Sequence, residues 1–206
     1  RVTAGPLPVE LTTFDATRSG EAVALEWETA SETNNAGFHI ERRVIEDSTK
    51  TKAATSEEAD WESLGFVDGA GTTTDPQTYR FEDAEVPFEA EQVAYRLRQV
   101  DIDGTESVSD ERILSAPVPT ETVLHAPFPN PARQQATLRY EVPTQADVQI
   151  RIYDLLGRRV QTLHRKTVEA GRHEAQLPTG RLASGTYFVR MTAGDAVQTQ
   201  RLTVVR

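Results

Sequence analysis

The stretch Ala136-Thr137-Leu138-Arg139-Tyr140-Glu141-Val142, with Val148-Gln149-Ile150-Arg151-Ile152-Tyr153 after it, decides the fold. Apolar side chains take every second place and polar ones the places between, the period-two pattern of a strand buried on one face. Working outward, Val123 to Phe128, Val160 to Val168, His173 to Leu177, Thr186 to Thr192 and Val197 to Val205 read as further strands. About seven short strands in succession predict an antiparallel sandwich. Gly157 in Asp154-Leu155-Leu156-Gly157 suits the left-handed position of a hairpin loop, and Gly194-Asp195 divides the last two strands in the same way.

Upstream the pattern repeats more loosely. Val23, Leu25 and Trp27 share one face while Ala24, Glu26 and Glu28 share the other, and Phe38-His39-Ile40-Glu41 alternates too. Val9 to Ala16, Trp61 to Val67, Thr78 to Asp83, Val93 to Val100 and Ser107 to Leu114 complete a second set of strands, with turn-rich separators such as Gly69-Ala70-Gly71. Trp27 is expected in the core, whereas Glu26, Glu28, Glu41 and Glu62 read as solvated. Residues Glu46 to Asp60 hold no aliphatic side chain larger than alanine and are expected to form a surface loop. In Ser115 to Thr122 two prolines favour an extended, non-pairing backbone. The fold class is therefore all-β: two consecutive immunoglobulin-like antiparallel β-sandwiches, residues 1–116 and 123–206, joined by a short proline-containing linker over 117–122. No segment carries a helical apolar stripe, which disfavours folds of alternating strands and helices.

Composition narrows function. There is no cysteine, so no disulfide, thiolate metal site or cysteine nucleophile. No apolar run approaches the roughly 18 residues of a transmembrane helix, and the chain opens on Arg1-Val2-Thr3 with neither methionine nor signal peptide, as expected of a piece of a longer protein. The net charge of −10 hides a division: residues 1–119 hold 25 Asp and Glu against 10 Lys and Arg, or −15, and residues 120–206 hold 7 against 12, or +5. An acidic first half disfavours nucleic acid as a partner, because neutralising phosphates takes clustered positive charge.

Catalytic motifs are missing. His39, His125, His164 and His173 fall at no zinc-like spacing. Ala183-Ser184-Gly185 lacks the first glycine of a nucleophile elbow and precedes a strand. Asp101-Ile102-Asp103-Gly104 has the look of a calcium loop, but its glycine comes two places early, and a turn between strands explains the same residues; weak calcium binding there is the alternative. Pro129-Asn130-Pro131 has two residues without an amide donor, so it reads as a corner between strand and turn. No enzyme, cofactor or metal is expected.

The order Phe128-Pro129-Asn130-Pro131, Tyr153-Asp154-Leu155-Leu156-Gly157-Arg158-Arg159-Val160, Leu182-Ala183-Ser184-Gly185-Thr186-Tyr187-Phe188-Val189-Arg190 and Arg201-Leu202-Thr203-Val204-Val205-Arg206 resembles the C-terminal sorting domain, type A, of proteins exported by the type IX (Por) secretion system of Bacteroidetes-like bacteria. The resemblance implies an immunoglobulin-like sandwich that is read by the type IX outer-membrane translocon, then removed by a sortase-like peptidase that attaches the cargo to surface lipopolysaccharide. It implies a secreted or cell-surface location reached via the periplasm. Carried over, the recognition positions are Pro129, Asn130, Pro131, Gly157, Gly185, Tyr187, Arg201, Leu202, Val204, Val205 and Arg206. Family members often have lysine where this chain has Arg201, so charge is kept but shape is not.

The first half is similar to the fibronectin-type-III-like module that often precedes such tails, through Leu7-Pro8-Val9-Glu10-Leu11, Leu25-Glu26-Trp27, Thr29-Ala30-Ser31-Glu32-Thr33-Asn34-Asn35 and Tyr95 to Gly104. It implies a structural spacer in a monomeric protein. A pair of adhesive or carbohydrate-binding sandwiches is the alternative. The charge division adds an expectation of its own: a basic tail is drawn to the anionic outer-membrane surface while the acidic portion stays soluble.

Overall fold

The computed structural model describes residues 9–45 and 61–206; the loop expected over Glu46 to Asp60 lies outside the described residues. The chain divides into two compact units, Arg1–Ala116 and Pro117–Arg206. Among the described residues both are built of strands without a helix, and the strand pairs are antiparallel, as the alternation predicts.

In the first unit, β1 (Val9–Ser19), β2 (Ala22–Ile45), β3 (Glu62–Thr73), β4 (Gln77–Asp83), β5 (Gln92–Asp101), β6 (Glu106–Val108) and β7 (Arg112–Ser115) follow in order. The two strands read around Trp27 and Phe38 are one continuous strand of 24 residues, β2. Its first part, from Ala22 to Thr29, pairs with β1 and β4; its last part, from Asn35 onward, pairs with β3 and β5, and β5 in turn carries β6 and β7. One strand thus supplies both layers. The layers face each other through Phe14, Val23, Leu25 and Trp27 on one side and Phe38, Ile40, Val93, Tyr95 and Leu97 on the other. Trp27 is fully buried, edge-on to Phe38 and stacked on Tyr79 with centroids 5.5 Å away in each case.

The change of layer is organised by a buried carboxylate. Glu32 accepts hydrogen bonds from the Thr29 hydroxyl, the Asn35 amide, the Ala70 N–H and the Tyr79 hydroxyl, at 2.6 to 2.9 Å. Burial alone pushes a carboxyl pKa up, but here the four donors outweigh it and hold Glu32 below its ordinary value.

One expectation changes here. Glu41, read as solvated, is buried: it accepts from Arg96 Nε and Arg98 Nε, each at 2.7 Å. Alternation rightly puts Glu41 on the outer face of the sheet, but Arg96 on β5 lies directly opposite it and the two arginines cover it. Trp61 lies under the guanidinium groups of Arg43 and Arg96, at 4.9 and 4.3 Å from its ring. The Asp101–Gly104 stretch is the β5–β6 hairpin, with Gly104 at φ 86° and its N–H donated to the Asp101 carbonyl.

The second unit has β8 (Val123–Leu124), β9 (Gln135–Val142), β10 (Ala146–Tyr153), β11 (Arg159–Val168), β12 (Gly171–Pro178), β13 (Gly185–Ala193) and β14 (Ala196–Val204). They form two sheets, β11-β10-β13-β14 and β12-β9-β8. The inward residues of the deciding stretch, Leu138, Tyr140 and Val142 on β9 and Val148, Ile150 and Ile152 on β10, meet Val189, Met191, Leu202 and Val204 in a single core. Each unit is an immunoglobulin-like β-sandwich.

Candidate functional site

Pro129 and Pro131 lack the N–H groups with which a backbone would pair, so this corner cannot extend a sheet by itself. The Asn130 side chain substitutes for it. Its Nδ2 donates to the Arg201 carbonyl at 3.0 Å and its Oδ1 accepts the Thr203 N–H at 2.9 Å. The next residue with a free amide, Ala132, donates to the Thr203 carbonyl at 2.8 Å, and the Val205 N–H donates back to the Ala132 carbonyl at 2.9 Å. Four hydrogen bonds therefore fasten the proline corner along β14, on the side of that strand not paired with β13. Further up the same strand, Gln198 and Gln200 donate to the carbonyls of Thr122 and Leu124. On the other flank, Phe128 exchanges backbone bonds with Thr137 of β9. The corner closes the side of the sandwich between its two sheets.

Residues separated by about seventy positions in sequence thus make one site. Pro129, Asn130, Pro131, Arg201 and Arg206 are exposed on it, Val205 is half-buried, and the Phe128 ring is 75% exposed. Leu202 and Val204 point the other way, fully buried in the core. Tyr187 is buried as well, and its hydroxyl donates to the Ala183 carbonyl at 2.9 Å, pinning the chain where it enters β13. Burial keeps the side chains of Tyr187, Leu202 and Val204 inside the folded domain, beneath the exposed edge. Gly185 is exposed at the start of β13, opposite Val204.

Gly157 stands apart, in the β10–β11 hairpin. At φ 76° it occupies the left-handed region expected for it and donates to the Asp154 carbonyl. Partial burial works against ionisation of the Asp154 carboxyl, but donors from Arg158 and from the Leu156 N–H outweigh it and hold the group below its usual range. This ordered turn presents Leu155 and Leu156 to solvent, the latter 79% exposed. The sequence reading missed Ala132, Gln198, Gln200 and Thr203; the missing amides of the two prolines were the available clue that some side chain must complete the pairing.

Among the described residues no cluster of His, Cys, Asp and Glu could hold a metal ion. Nor, among the described residues, is any helix long and apolar enough to cross a membrane.

The second unit thus joins its proline corner to the last strand at one exposed edge. Residues 126–205 match the family described as secretion system C-terminal sorting domain. The type IX resemblance of this part of the chain is thereby borne out, and such a domain acts with the type IX secretion machinery and directs export to the cell surface or the extracellular space. Comparison with curated proteins returned no match.

Among solved structures, the chain is similar to dimeric latent PorU from Porphyromonas gingivalis, at 17% identity and TM-score 0.34, covering 97% of this chain and 20% of that one. The alpha chain of the chicken interferon gamma receptor is matched at 12% identity and TM-score 0.33, over 96% of this chain and 99% of that one. Fibronectin(III)-like modules of CbhA from Clostridium thermocellum are matched at 11% identity and TM-score 0.28, over 90% and 86%. The chain spans about a fifth of the PorU chain it matches.

Proposed function

We propose that residues 123–206 are the address by which the translocon recognises an exported protein, and that the surface read is the corner of Pro129, Asn130 and Pro131 together with the exposed part of the last strand. The observation that supports this most is the set of four hydrogen bonds through Asn130 and Ala132, which makes two distant motifs a single exposed edge next to the chain end. The first unit, residues 1–116, is a structural spacer, monomeric and without catalytic duty. Its polar clusters around Glu32 and Glu41 are consumed by internal hydrogen bonds and hold the layers in register.

In this reading a sortase-like peptidase cuts within the linker at residues 117–122 and joins the released cargo to surface lipopolysaccharide. The linker suits cleavage: no strand runs through it and Val118 is exposed. The test is a reporter enzyme placed ahead of the full chain, compared with the same reporter ahead of residues 1–116 alone, in a host with a working type IX system. Activity on intact cells or in the medium is expected from the first only. Retention of the first in the periplasm, or release of both, overturns the reading.

A further inference from the structure

The two outer faces of the second unit treat their charges differently. On the β12-β9-β8 sheet, Arg139 pairs with Glu174 at 2.7 Å, and Glu141 is met by His125 at 3.0 Å and Arg172 at 3.8 Å. On the β11-β10-β13-β14 sheet the register sets Arg159, Tyr153, Phe188 and Arg201 in one row across the strands, Arg151 beside Arg190 in the next, and Arg165 at the end of the third. Their neighbours Ile150, Ile152, Val189 and Leu202 are buried, so all five arginines stand on the outer face. None of the five forms an ion pair with any described residue, and the buried Nε of Arg151 has no hydrogen-bond partner.

Of the unit's seven carboxylates, Glu169 accepts from the Gln145 amide, Glu121 precedes β8, Asp195 sits in the β13–β14 turn, and the other four are engaged away from these arginines. Glu141 and Glu174 lie on the opposite sheet, Asp154 is closed on Arg158 in the hairpin, and Asp147, at the far end of the face, accepts the Thr167 hydroxyl. Like charges directly opposite one another on neighbouring strands work against folding, so the Arg151–Arg190 pair is a cost the fold itself does not explain.

We propose that this face docks on the phosphate groups of an anionic glycolipid layer. The inference rests on the export reading, which brings the domain to such a layer. Strand spacing spreads the five stems over an area of about 14 by 14 Å, all facing one way, so they suit a plane of phosphates rather than one small anion that needs converging donors. Tyr153 and half-exposed Phe188, set between Arg159 and Arg201, favour a lipid surface over an acidic protein, because the amphipathic tyrosine ring settles at the headgroup level beside basic side chains and the apolar phenylalanine ring gains by leaving water.

The test is binding of the 206-residue chain to phosphatidylcholine vesicles with and without lipid A, at low and high salt. Binding is expected only with lipid A, and weaker at high salt. Arg151→Gln with Arg190→Gln should weaken it about 25-fold, each basic residue near an anionic surface being worth about fivefold. The charge-matched pair Arg133→Gln with Arg181→Gln, off this face, should change it less than about threefold by the same measure. If the first pair does not fold, Arg159→Gln with Arg201→Gln replaces it. Equal loss in the two pairs, equal binding to phosphatidylcholine alone, or insensitivity to salt overturns the proposal. Displacement by polyglutamate as effective as by lipid A overturns it in favour of an acidic protein. A chain that is exported but does not bind vesicles sinks the docking face alone; one that binds but is not exported sinks the export reading alone.

Discussion

Asn130 does with a side chain what its proline neighbours cannot do with their backbone. Asn130→Ala leaves the Arg201 carbonyl and the Thr203 N–H to water at an exposed edge, so the cost is that of two solvent-accessible hydrogen bonds, about 1–2 kcal/mol. Denaturant unfolding should show that loss in the second unit, with amide exchange at Thr203 quickened most. Glu32 works by the opposite logic, because it is buried and accepts from every side. Glu32→Gln replaces one acceptor oxygen by a donor that meets other donors, and is expected to destabilise the first unit by about 2–3 kcal/mol at neutral pH. Since the folded pKa of Glu32 is depressed, its stabilisation is complete above the ordinary carboxylate pKa and drains away as pH falls through the folded value. The difference between wild type and Glu32→Gln should therefore narrow on acidification; a gap that is constant with pH would exclude the carboxylate as its source.

β2 shows what a strand can be asked to do and how little of that is written in its sequence. Alternation around Trp27 and Phe38 was legible because burial of one face imposes it, but the polar stretch Ala30 to Asn34 looks like a separator, and only the four donors around Glu32 reveal that the strand runs through it. The same limit hid the cover over Glu41 and the link between Asn130 and Thr203: periodicity says which face a residue takes, not what a distant strand lays upon it. Gly37 sits at an irregularity in the pairing of β2 with β3, where an added Cβ would lie 2.4 Å from the Val67 carbonyl oxygen. Backbone must shift to admit it, so Gly37→Ala should cost the first unit about 1–3 kcal/mol in a denaturant titration. β14 carries a warning for experiments on export. Deleting Leu202 to Arg206 takes two fully buried side chains from the core as well as an exposed edge, a loss of about 5 kcal/mol or more that rivals the whole stability of a small domain. The truncated chain should lose the second unit's cooperative unfolding, and its failure to be exported would not by itself identify a recognition residue.

At the scale of the molecule, two separate cores and opposite charge balances predict two separable unfolding events. Residues 1–116 carry 25 acidic against 10 basic residues, and self-repulsion at that imbalance opposes compactness. The ion pairs of Glu41 with Arg96 and Arg98 are buried and weakly screened, whereas the excess surface charge is strongly screened, so added salt should relieve more repulsion than it removes attraction. The melting transition of the first unit should therefore rise with sodium chloride. The second unit, with 7 acidic against 12 basic residues, carries a third of that imbalance and should respond much less. Calorimetry of the whole chain can assign the two events, because Gly37→Ala is expected to move only the salt-sensitive one and Asn130→Ala only the other. A single transition displaced by both substitutions would mean that the cores unfold together, and the spacer would then have to be regarded as part of the address.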